Sequence, residues 1–190
     1  RISEAAIGYV CEQSLPPETE TTNGQVIDIV ISASSETTFD MPHAMDLPLN
    51  LILDQLRLAS FNNIFVRYAE RNIVEDGVVY LQDPLPGTQL LPEMPVTLTV
   101  CGNPEFEFSS DIAFNLNIEN SATKVIAAVQ ESYNGLAYYR ILFEDTLEKG
   151  EKVPISFTAT SDIEGTREVI VFSDGTVVKQ QDFTFTPKAS

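Results

Sequence analysis

One segment of this chain occurs twice, and that duplication constrains the fold more than any other feature. Gly8-Tyr9-Val10-Cys11-Glu12-Gln13-Ser14-Leu15-Pro16-Pro17-Glu18-Thr19 returns as Gly77-Val78-Val79-Tyr80-Leu81-Gln82-Asp83-Pro84-Leu85-Pro86-Gly87-Thr88, at a gapless offset of 69 residues. Gly8/Gly77, Val10/Val79, Gln13/Gln82, Pro17/Pro86 and Thr19/Thr88 are identical. At the same offset Ile27, Ile29 and Ile31 fall on Val96, Leu98 and Val100. A short strand, a proline-bearing turn and an alternating strand are thus written twice in one order, and a repeat of this kind sets the architecture.

The flanks show that the copies are unequal. Residues 1–33 read as the second half of a unit: a strand over 6–13, a turn forced by Pro16-Pro17, a hairpin signal at Asn23-Gly24, and a strand over 26–32. Residues 34–102 read as a complete unit. A polar linker (34–38) and an extended entry at Phe39-Asp40-Met41-Pro42 precede a helix, with Asp46 as its cap, Pro48 in its first turn, and Leu49, Ile52, Leu53 and Leu56 at helical spacing. Strands then follow over 64–68, 77–82 and 95–101, which predicts one helix on a small antiparallel sheet. Gly102-Asn103-Pro104 marks a boundary that should set the angle between modules. Beyond it residues 103–190 show strands alone. Ile112, Phe114, Leu116 and Ile118 alternate with polar or small residues, as do Val153, Ile155, Phe157 and Ala159, and Asn134-Gly135 and Asp174-Gly175 signal hairpins. Six or seven strands predict an immunoglobulin-like sandwich in architecture, without the Cys–Trp–Cys hallmark, since the chain has no Trp.

The formal charge is −17 and is spread along the chain with no acidic tail. Such a field repels nucleic acid and anionic membrane and favours solubility. No run of eighteen apolar residues is present, so no segment here is expected to span a membrane. No signal peptide is expected in these residues, which do not begin with Met, and the chain is expected to be a piece of a longer protein. Cys11 and Cys101 lack metal-ligand spacing and occupy different repeat positions, Cys11 aligning with Tyr80 and Cys101 with Ser32. Two free thiols are the favoured reading. A disulfide stays open and would need Cα atoms within about 7 Å.

Gln82-Asp83-Pro84-Leu85-Pro86-Gly87-Thr88, followed by Val96-Thr97-Leu98-Thr99-Val100, resembles the PASTA domain, which ends in a Q-S-P-x-P-G-T-x-V turn and a V-T-L-x-V strand. Met41-Pro42 is similar to that family's V-P entry, and Leu56 and Phe61 fit its A-x-x-x-L-x-x-x-G-F helix exit, with Ser60 where Gly is usual. The first copy resembles a worn version, with Glu18 in a Gly position. The resemblance covers about 100 of the 190 residues. It implies α+β PASTA modules followed by an immunoglobulin-like β domain, the arrangement that ends the extracellular arm of some Firmicutes (Gram-positive) Ser/Thr protein kinases. It further implies a sensor outside the cell, part of a single-pass membrane protein. Its partners would be peptidoglycan fragments (muropeptides) or lipid-linked wall precursors, with signalling by ligand-driven self-association. The C-terminal region of a penicillin-binding protein and a non-binding structural spacer are the alternatives.

No catalytic constellation is present, so the chain itself is not expected to be an enzyme. If the parent is a kinase, its kinase domain lies outside these residues. His43 stands in a proline-flanked segment with no oriented partner, and the phosphate-cradling and nucleophile motifs are missing. No cofactor or metal is expected: Glu75-Asp76 and Glu144-Asp145 lack the alternating acids and Gly of a calcium loop. Tyr138-Tyr139 and Phe143 read first as sandwich core and surface, with a sugar-binding platform as the weaker option. A muropeptide carboxylate calls for a cation. Cations are scarce in the complete unit, and Arg67, Tyr68 and Arg71 form the best candidate cluster.

Overall fold

The computed structural model describes residues 10–15, 19, 26–31, 38–71, 74–102, 104–117, 123–148 and 152–188. The chain falls into two compact units, Arg1–Thr38 and Phe39–Ser190. The predicted turns at Pro16-Pro17 and Asn23-Gly24, Glu18, most of the 34–38 linker and Asn103 lie outside the described residues.

In the first unit β1 (Val10–Gln13) pairs antiparallel with β2 (Ile29–Ile31). Val10 faces Ile31, Glu12 faces Val30 and Gln13 faces Ile29, with a bulge between Val10 and Glu12. The second unit opens with β3 (Phe39–Asp40), α1 (Leu49–Leu58), β4 (Ile64–Ala69), β5 (Val79–Asp83), β6 (Gln89–Leu90) and β7 (Val96–Cys101). In the β5–β7 hairpin Val79 faces Val100, Leu81 faces Thr99 and Gln82 faces Leu98, with the irregularity again after the first pair. Every partner and the bulge recur at the sequence offset. The motif glutamine makes one bond in common in both copies: Gln13 Nε2 donates to Leu15 O, and Gln82 Nε2 donates to Pro84 O at 3.0 Å. Burial differs. Val79, Val96 and Leu98 are fully buried, whereas their counterparts Val10, Ile27 and Ile29 are 52%, 48% and 55% exposed.

Copy two is covered by α1. The spacing of Ile52, Leu53 and Leu56 puts all three on one face, buried against Ile64, Val66, Val79, Val96, Leu98 and Val100. Asp46 does not cap this helix. Pro48 occupies the N-cap position with no side-chain bond, and Asp46 instead takes φ 64°. The helix stops in a Schellman turn: Phe61 N–H donates to Leu56 O and Ser60 N–H to Arg57 O, both at 3.0 Å. Ser60, where glycine was expected, carries φ 61°.

The sheet under α1 is not antiparallel throughout. β4 runs parallel to β7, and β7 lies between β4 and β5. The reason is burial: Val96, Leu98, Val100 and Cys101 are buried on both faces, so β7 takes the inside, while half-exposed β5 takes the edge.

Six longer strands follow: β8 (Phe108–Asn117), β9 (Thr123–Tyr133), β10 (Leu136–Leu147), β11 (Lys152–Ser161), β12 (Gly165–Ser173) and β13 (Thr176–Pro187). Asn134-Gly135 and Asp174-Gly175 make the two tight hairpins, all four residues at positive φ as type I′ turns require. Inward residues of all six strands, among them Ile112, Val125, Leu147, Ile155, Val171 and Phe185, share one core.

The expected fold, an α+β module followed by a separate immunoglobulin-like sandwich, does not form. The second unit is mostly β with one helix among the described residues, and nine strands make a single sheet in the order β11-β8-β13-β12-β9-β10-β4-β7-β5. The join is β4 beside β10, parallel, with Phe65 facing Tyr139 and Val66 facing Arg140. Side chains alternate along a strand, so Phe65 points away from the α1 core. It is 3% exposed because Tyr139 stacks on it at 5.3 Å and Phe172 meets it edge-on at 5.1 Å. Tyr139 and Phe172 close the triangle at 5.1 Å. An apolar ring that the module cannot cover by itself is covered by the neighbouring strands, and that fuses the two halves.

Candidate functional site

Residues Arg67 and Tyr68 are adjacent on β4 and therefore leave the sheet on opposite faces. Arg67 shares its face with Phe65 and meets β10. Its guanidinium hydrogen-bonds to Glu144 Oε2, while Lys124 Nζ lies 2.8 Å from Glu144 Oε1. Burial pushes the Glu144 carboxyl up, but the Lys124 hydrogen bond and the charges of Arg67 and Lys124 outweigh it and hold the group below the usual carboxylate range. A depression of about 430 Å³ lies here, lined by Arg67, Tyr68 and Ile141 to Glu144. Arg67 is thus already paired, and an incoming carboxylate would have to compete with Glu144.

Tyr68 packs with Tyr133 and Tyr138 at the edge of the α1 core. Burial raises its phenol, with Arg140 opposing. Tyr138 is pushed up to about 12, first by burial and then by Tyr68. Arg71 does not join either residue: its guanidinium lies over the Tyr80 ring at 5.0 Å. The structure therefore brings Arg67 and Tyr68 to one depression and leaves Arg71 outside it.

A second concavity lies on the Tyr68 face. A groove of about 420 Å³ runs between the start of α1 (Pro48, Leu49, Asn50, Leu53), the 75–78 loop and the β9–β10 hairpin, whose Tyr133 and Tyr138 form its wall. A second hollow of about 590 Å³ adjoins it through Tyr68, Asp76 and Gly77 and is otherwise lined by Cys101, Gly102, Pro104 and Glu105. Cys101 is a buried free thiol that holds the adjoining loop, its Sγ 3.1 Å from Val74 O and 3.3 Å from Arg71 O. Among the described residues, neither hollow is lined by Lys, Arg or His.

No protein-family model matches this chain, and no curated protein matches it. The PASTA resemblance therefore stands on the motif residues alone. A solved structure of the entire extracellular region of the Ser/Thr kinase PrkC from Staphylococcus aureus is similar, at 14% identity and a TM-score of 0.35. The match covers 95% of this chain and 63% of that one, so the chain spans less than two thirds of it. At that overlap the likeness carries no argument about ligand or role. No helix among the described residues is long and apolar enough to cross a membrane. No group of three His, Cys, Asp or Glu side chains among them could hold a metal ion.

Sequence reasoning missed a buried charge cluster. Glu131 Oε1 accepts from Arg140 Nε at 3.1 Å and from an Arg167 terminal nitrogen at 3.0 Å. Arg140 also donates to Thr160 O at 2.8 Å and stacks on Phe106 at 4.4 Å, and Arg167 donates to Gln130 O and Ser161 Oγ. The members come from three strands, and no short motif unites them. The tyrosine groove was equally hidden. Tyr138 and Tyr139 read as one pair, yet the pleat sends Tyr138 to the groove and Tyr139 to the aromatic join.

Proposed function

We propose that this chain is an extracellular binding region of a bacterial Ser/Thr protein kinase of the PASTA-bearing kind, and that it recognises peptidoglycan fragments or lipid-linked wall precursors. One observation carries the reading. The duplicated segment forms the same strand pair twice, with the same partners, the same bulge and one glutamine bond in common, as tandem modules of one array do. Tandem weak modules gain affinity through tethering. The Tyr68 groove and the Arg67 depression are the places such a ligand would occupy.

The test is a titration of synthetic disaccharide-peptide muropeptide into the protein, followed by amide shifts. The expected result is saturable shifts around Tyr68, Tyr138 and Glu75, with those at Ile141 to Glu144 lost in Arg67→Ala if the depression contributes. Absence of any shift at millimolar ligand would refute the binding reading. It would favour a structural spacer, for which the fused nine-stranded sheet is the supporting observation.

A further inference from the structure

We propose that the tyrosine groove beside α1 binds an alkylammonium group, so that the part of a wall peptide held here is a side-chain amine rather than a carboxylate. This rests on the wall-binding reading and narrows it. The sequence points to cations as the ligand-holding groups, but the groove has the opposite chemistry. It is lined by Tyr68, Tyr133 and Tyr138, by Leu49 and Leu53, and by the acidic residues Glu75 and Asp76. The adjoining hollow adds Glu105 and, among the described residues, no base.

The nearest guanidiniums are engaged elsewhere: Arg71 lies on Tyr80, and Arg140 is held by Glu131 and Thr160 O. The start of α1 offers little to an anion, because the Leu49 N–H is already taken by Gly77 O at 3.0 Å. An anion entering the groove would meet two carboxylates. A cation on an aliphatic stem would meet aromatic faces that attract it, carboxylates that neutralise it and leucines that cover its methylenes. A phenol hydroxyl can accept from an N–H as well as donate, so the three tyrosines add polar partners for an ammonium.

The experiment uses the 190-residue protein and two probes, Nα-acetyl-lysine methylamide and the same compound acetylated on its side-chain nitrogen. Amide and tyrosine ring shifts are followed for each. The amine is expected to shift groove residues saturably, and the capped compound to bind at least about tenfold more weakly. Glu75→Gln with Asp76→Asn should weaken the amine about fivefold or more and flatten its salt dependence. Tyr138→Phe keeps the ring and should retain most of the binding. Tyr138→Leu should lose it, with an unchanged far-UV spectrum as the folding control. Equal binding of both probes, or no shift from either, overturns the proposal. The functional reading fails separately: muropeptide that binds regardless of amine acetylation sinks the ammonium site alone. Lysine that binds where muropeptide does not leaves the groove and removes the wall ligand.

Discussion

Replacing Gln82 by leucine should cost far more than the same change at Gln13, although the two occupy one repeat position. Gln82 is 8% exposed and makes three hydrogen bonds. Its Oε1 accepts from Ala44 N–H at 2.7 Å, and its Nε2 donates to Pro42 O at 3.1 Å and Pro84 O at 3.0 Å. It therefore ties the entry segment to the proline turn. Leucine fills the same volume but leaves the N–H of fully buried Ala44 without a partner. An orphaned buried donor costs about 1–3 kcal/mol, and each lost bond about 1 kcal/mol. The added apolar burial returns about 1 kcal/mol. The net loss is about 2–4 kcal/mol. With a urea slope of about 2 kcal/mol per molar, the midpoint should fall by about 1–2 M. The chain has six tyrosines and no Trp, so tyrosine emission with far-UV dichroism reads the transition. Gln13 is exposed and makes one bond among the described residues, to Leu15 O, so Gln13→Leu should cost under about 0.5 kcal/mol. A loss below about 0.5 kcal/mol for Gln82→Leu, or equal losses at both sites, would refute the clamp argument.

Three further outcomes are expected. Ser60→Gly should stabilise by about 1 kcal/mol, because a β-carbon at φ 61° is strained and glycine relieves it; thermal unfolding measures this. Phe172→Ala should cost about 3–5 kcal/mol and split one urea transition into two, since it removes the ring that joins β4 to the β9–β12 face; a single unsplit transition would contradict the join. Glu144 has a lowered folded pKa, so its contribution is full above the unfolded carboxyl's pKa of about 4.3 and is lost as pH falls through the folded value. Glu144→Gln should therefore flatten the stability profile on the acid side and leave its neutral limb similar in shape.

The sequence was most legible where chemistry is local. The repeat announced two like strand pairs, whose partners agree at the 69-residue offset, and Asn134-Gly135 and Asp174-Gly175 announced their hairpins because such residues accept positive φ cheaply. The helix was legible from Ile52, Leu53 and Leu56, but its start was not, since Asp46 turned aside. What could not be read was long-range. The β4–β10 join rests on two residue pairs far apart in the chain. Phe65 looks like ordinary core, and nothing local says which rings will cover it. The same holds for the Glu131 cluster and for the groove, where Glu75, Tyr68 and Tyr138 meet only because the sheet is continuous.

The covering of Phe65 has a consequence for synthesis. Its partners Tyr139 and Phe172 leave the ribosome well after it does. Until they arrive, the nascent β4 has an open edge and a bare aromatic face, although α1 and the β5–β7 hairpin are complete. Pairings of long sequence separation form slowly, and uncovered edges associate with other chains. The first half of this unit should therefore depend on the rest of the sheet to stay apart from its neighbours, and a gene truncated after Cys101 should yield aggregates rather than a small soluble module.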